Sequence, residues 1–142
     1  MKEILILLTL VAYSVGSPVG APAAACLSMT PNHGVEAQTS ESPYRLSVSE
    51  TAVKGGEIIK VELLAQPENS FKGFLIQART SGSEFQIVGE FLEDEDEATP
   101  FNFRDCASGT HNAVTHFSRD LKDKISFKWK APENFEGSIQ FV

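Results

Sequence analysis

Two cysteines, Cys26 and Cys106, lie behind a secretory-type leader, and this pairing constrains the chain more than any other feature. Lys2 opens a short charged start. Residues 4–11 then run apolar apart from Thr9, and Ala12, Ser14 and Gly16 supply small residues. This is the pattern of a signal peptide over residues 1–16, cut before Ser17. The apolar run is too short to span a bilayer, which takes about 20 residues. An exported chain meets oxidising conditions. Two cysteines then have one intramolecular pairing, a Cys26–Cys106 disulfide. Lipidation of Cys26 fits poorly, because the apolar core ends well upstream and Cys106 would lose its partner. On the chain-entropy model, closing this loop contributes about 4–5 kcal/mol.

Residues 17–25 are small, Pro-rich and unpatterned, and read as a flexible arm. Residues 26–142 make one domain of ordinary size. The net charge of −7 survives removal of the leader, which carries one base, Lys2, and one acid, Glu3. An acidic balance excludes a general nucleic-acid binder. It also opposes electrostatic capture by anionic membranes unless the bases are segregated. No second apolar segment could span a membrane.

The remaining residues read as strands between turns. Residues 44–49 alternate, with Tyr44, Leu46 and Val48 on one face. Residues 57–64 place Ile59, Val61 and Leu63 together. Residues 71–79 carry apolar groups on both faces and read as the most buried strand. Residues 85–92 follow, and Gly89 within them marks a bulge or a close backbone approach. An acidic run, residues 93–97, reads as a solvated loop. The stretch from 93 to 112 has no convincing periodicity. Residues 114–117 form a short strand. Residues 124–130 alternate cleanly, with Ile125, Phe127 and Trp129 inward and Lys124, Ser126, Lys128 and Lys130 outward. Residues 138–142 open a last strand that stops without a turn, so the domain reads as ending there or as cut short. Short strands without a usable amphipathic helix indicate an all-β antiparallel sandwich.

No catalytic constellation stands out. His33, His111 and His116 match no closed zinc pattern, and oxidised cysteines are not ligands, so no metal or other cofactor is expected. A solid acidic run lacks the alternating oxygens of a calcium loop. Ser108 and Ser118 lack a nucleophile elbow. The bases are few and gather in the second half of the chain. Lys72, Arg79, Arg104, Lys128 and Lys130 are the candidates for contacting an anionic ligand.

Several segments in order resemble the reeler domain family. Residues 26–33 (CLSMTPNH) match its opening, and residues 71–79 (FKGFLIQAR) and 88–91 (VGEF) its middle. Cys106, residues 114–116 (VTH), residues 125–132 (ISFKWKAP) and Gly137 complete the order. The resemblance implies an immunoglobulin-like β-sandwich with Cys26 joined to Cys106. Without an added module, the chain is similar to the stand-alone secreted insect defence proteins of the noduler type. That implies an extracellular, non-enzymatic, monomeric innate-immune protein. It would bind microbial glycolipid or polysaccharide, and blood-cell surfaces, and promote nodulation or aggregation. The alternative is an adhesive, matrix-binding module acting through a host protein partner. The family supplies no binding motif that transfers residue by residue.

Overall fold

The computed structural model describes residues 19–95 and 98–142. The expected leader, residues 1–16, lies outside the described residues. Eight strands form two antiparallel four-stranded sheets. One sheet runs β1 (Tyr44–Val48), β2 (Ile58–Ala65), β7 (Lys124–Lys130), β4 (Glu90–Leu92). The other runs β5 (Phe101–Arg104), β6 (Ala113–His116), β3 (Leu75–Thr80), β8 (Ile139–Phe141). The expected sandwich and its disulfide are both present.

The long strands follow their alternation. Val61 faces Phe127, and Ile59 faces Trp129, across the β2–β7 ladder, and all four are buried. Phe127 is the hub between the sheets. Phe101, Phe74 and Phe91 meet its ring edge-on at 4.9, 5.5 and 6.0 Å. Such pairs add to the stabilisation from area burial alone.

Of residues 71–79, Lys72 and Gly73 are exposed, while residues 76–79 are buried on both faces, for two separate reasons. Ile76 and Ala78 point into the inter-sheet core. Leu75 packs on a second cluster built from Cys26, Cys106 and Ala113. The strand itself is shorter than expected. Phe71 makes only a bridge to Lys122 before β3 begins at Leu75.

Residues 85–92 do not form one strand. The Gln86 carbonyl accepts from Thr80 and the Val88 amide donates to Ala78, both on β3. At Gly89 the chain crosses to the opposite sheet, where β4 pairs with β7. Gly89 has φ +73°, and a Cβ there would overlap the Trp129 indole. The close approach expected from this glycine is thus the point where one strand changes sheets. The Trp129 indole N–H donates to the Val88 carbonyl at 3.3 Å and seats the ring under the crossing.

Two elements were not anticipated. A short helix, α1 (Ala25–Ser28), is closed by the Met29 amide, which donates to Ala25 with Met29 at φ 54°. Strand β5 lies inside the stretch without convincing periodicity. Its Phe101 and Phe103 pack on the core while Asn102 and Arg104 turn out, an alternation only four residues long.

The expected arm at residues 17–25 also differs, where it is described. Arg104 donates from Nε to the Ala21 carbonyl (2.8 Å) and from Nη2 to the Val19 carbonyl (3.0 Å). The Ala21 amide donates to Thr115 Oγ1 at 2.9 Å. These bonds lay residues 19–21 as a strap over β5 and β6.

Candidate functional site

The five candidate bases do not converge. Arg79 is turned inward beneath α1 and is a structural cation. Its guanidinium donates to the Cys26 and Leu27 carbonyls at 2.8 and 3.0 Å, and to Gln77 Oε1 at 3.0 Å. It also lies over the Phe85 ring at 3.9 Å. Burial pushes its pKa below the ordinary value. Gln77 completes this network by donating to the Cys26 carbonyl at 2.9 Å. The two orphan carbonyls at the end of α1 thereby gain partners. Arg104 is equally committed, to the strap.

The outward lysines of β7 form an ion-pair lattice rather than a bare cationic face. Lys124 meets Glu62 at 2.8 Å, Lys128 meets Asp94 at 3.1 Å, and Lys130 meets Glu133 at 2.8 Å. Glu62 also takes Lys60 at 2.8 Å. The Lys130 pKa is raised, chiefly by its hydrogen bond to Glu133. Asp94 belongs to the acidic run that was expected to be wholly solvated. Only Lys72 of the five is exposed and without an ion pair among the described residues.

Lys124 and then Lys60, with help from the Ser126 hydroxyl, hold Glu62 down at about 2. A depressed carboxylate stabilises the fold fully above its unfolded value, and that contribution is lost as pH falls toward the folded one. The acid-unfolding curve of Glu62→Gln is therefore expected to lack a component between about pH 4.5 and pH 2. Identical acid curves for the two proteins would show that the lattice adds nothing.

Beside this lattice lies a cleft of about 480 Å³ at the open edge of β7. Its origin is topological. β4 pairs along that edge only from Lys130 to Lys128, and the chain then leaves for β5 in the other sheet. The gap is walled by Leu92, Pro100, Phe101, Ile125 and Phe127. Lys60, Lys122, Lys124 and Lys128 rim it, together with Asp94. Among the described residues, two carboxylates, Glu62 and Asp94, pair with three of these ammonium groups, and the fourth, Lys122, donates to backbone carbonyls. Sequence patterning picks out Lys128 and places Lys124 on the same outward face, but it does not single out Lys60 or Lys122. It could not find the cleft, which depends on where β4 stops.

His33 is exposed, whereas His111 and His116 serve structural contacts. His111 stacks on Phe103 at 4.3 Å, and His116 Nδ1 accepts from the Phe74 amide at 3.3 Å. Among the described residues no three His, Cys, Asp or Glu side chains gather as a metal site. Ser118 donates to Asp120 at 2.7 Å, within its own turn. No described helix is long and apolar enough to cross a membrane.

The described residues thus form a disulfide-stapled β-sandwich with an open cleft at the β7 edge. The Reeler domain model matches residues 24–142, and the chain belongs to that family. It is 35% identical over 126 residues to "Putative defense protein 3" of Antheraea mylitta, covering 88% of this chain and 73% of the relative. It is 37% identical over 123 residues to "Putative ferric-chelate reductase 1" of Danio rerio, covering 86% of this chain and 21% of that much longer protein. The crystal structure of the Reelin-N domain of F-spondin superposes with a TM-score of 0.53 at 25% identity, over 69% of each chain.

Proposed function

We propose that this chain is a secreted, non-enzymatic defence protein that binds anionic, lipid-bearing components of microbial surfaces. Its family and its defence-named insect relative, matched over most of both chains, support the defence role. The leader read from residues 1–16 supports export. The observation that carries the ligand class is the cleft: apolar walls beside a lysine rim. Acyl chains would pack against the apolar groups that the cleft leaves accessible, Leu92, Ala98 and Pro100, since Phe101, Ile125 and Phe127 are already buried. Phosphates fit the rim, where Lys124 and Lys128 can exchange Glu62 and Asp94 for a ligand anion. Nodulation or aggregation then needs a second contact, for which the blood-cell surface is the proposed partner.

Titration of the purified mature protein with lipopolysaccharide tests this reading. Reversing both rim charges, Lys124→Glu with Lys128→Glu, is expected to weaken binding at least about tenfold, or roughly 1.4 kcal/mol. Removing the acyl chains from the ligand is expected to weaken it as well. Undiminished affinity in the double variant would rule out the cleft. Binding to host blood cells alone would favour a host protein partner.

A further inference from the structure

The turn between β6 and β7 has an unusual construction for a surface loop. Phe117 is 59% exposed and Leu121 is 67% exposed, four residues apart. The loop that carries them is nonetheless tightly pinned. The Lys122 ammonium donates to the carbonyls of Asp120 (2.7 Å), Ser118 (3.1 Å) and Lys72 (3.3 Å). An ammonium has three protons, and all three are committed to carbonyls. The Ser118 hydroxyl donates to the Asp120 carboxylate at 2.7 Å. The backbone of Lys122 is fixed in turn by paired bonds with Phe71 at 2.8 and 2.9 Å.

This arrangement holds two large apolar side chains out in solvent while satisfying polar groups of the loop internally. Polar backbone that enters a lipid layer must bring its own partners, since the layer supplies few. Exposed Arg119 lies between the two apolar residues, and exposed Lys72 lies on the adjoining segment. Within the loop Arg119 and Lys122 balance Asp120 and Asp123, and Lys72 alongside adds one positive charge. The local balance is positive although the chain carries −7.

We propose that the β6–β7 turn is an interfacial anchor: Phe117 and Leu121 enter the headgroup layer of an anionic bilayer, and Lys72 and Arg119 meet its phosphates. Shallow insertion of apolar side chains flanked by bases is a general mode of peripheral attachment. The anchor does not depend on the cleft. A soluble glycolipid could fill the cleft without a bilayer, and a bilayer could hold the turn with the cleft empty.

The test is co-sedimentation of the mature protein with vesicles of phosphatidylcholine, with and without phosphatidylglycerol. The wild type is expected to sediment more strongly with the anionic vesicles. Phe117→Ser with Leu121→Ser is expected to reduce the partition coefficient at least about tenfold on both. Lys72→Glu is expected to weaken only the anionic case. Because Phe117 and Leu121 are exposed, the double serine variant should melt with the wild type and bind soluble lipopolysaccharide equally well. Wild-type-like sedimentation of that variant, or no sedimentation of the wild type with either vesicle, would overturn the anchor. Neither result would touch the cleft, which the charge-reversal pair tests separately.

Discussion

Gly89→Ala is expected to lower the thermal midpoint by about 10–20 °C, corresponding to roughly 3–5 kcal/mol. Two costs combine at this position. The backbone sits at φ +73°, where a Cβ is strained against its own carbonyl. The new methyl group would also overlap the Trp129 indole. The indole has little room to retreat: it is fully buried and meets Phe141 at 5.2 Å on another strand. Its N–H also holds the Val88 carbonyl next to the crossing. Thermal unfolding followed by tryptophan fluorescence would report both the midpoint and the state of the Trp129 pocket. A midpoint within a few degrees of wild type would mean that the chain can change sheets without this close approach.

Removing the disulfide, by Cys26→Ala with Cys106→Ala, is expected to destabilise the protein by about 4.5 kcal/mol on the chain-entropy model. The two cysteines are 80 residues apart, so the crosslink closes most of the domain. Both are buried, and Cys106 is held in place by Asn112. Asn112 accepts from the Cys106 amide at 2.7 Å and donates to the Cys106 carbonyl at 2.9 Å. The double replacement leaves those bonds, and the Arg79 bonds to α1, in place. Urea unfolding of the two proteins should therefore report the crosslink together with the one bond lost with it, from Gln77 Nε2 to Cys106 Sγ at 3.2 Å. A loss below about 1 kcal/mol would mean that Arg79 and the Arg104 strap already confine the N-terminal segment, since hydrogen bonds to charged groups contribute that much or more.

The long strands were legible because seven or eight residues of alternation leave one choice of face. β2 and β7 are the clear examples, and their inward residues include Val61, Phe127 and Trp129. β5 was missed because four residues, Phe101 to Arg104, carry too little period beside an acidic run and a cysteine turn. The split of residues 85–92 between two sheets left a single local mark, Gly89. Long-range pairing left none. Lys128 finds Asp94 34 residues away, and Arg79 finds the Leu27 carbonyl 52 residues away. A count of bases therefore identified cations but not which were already committed. Arg79 did carry a usable signal. A base inside a strand that is apolar on both faces has no open side, so it must be satisfied within the fold. The cleft had no sequence signature, because it is defined by the length of β4 against β7.

The crossing at Gly89 also bears on how this sandwich would carry load. In a simple two-layer sandwich the layers are held together by side-chain packing, which resists sliding weakly. Here residues 86–88 are bonded into one layer and Glu90–Leu92 into the other. The two layers are stitched by one continuous stretch of chain through Gly89. Sliding one layer over the other must tear backbone hydrogen bonds on both sides of the stitch at once. A pull applied at the open side of the sandwich would therefore be spread over main-chain bonds in shear, not concentrated on the packing between the layers.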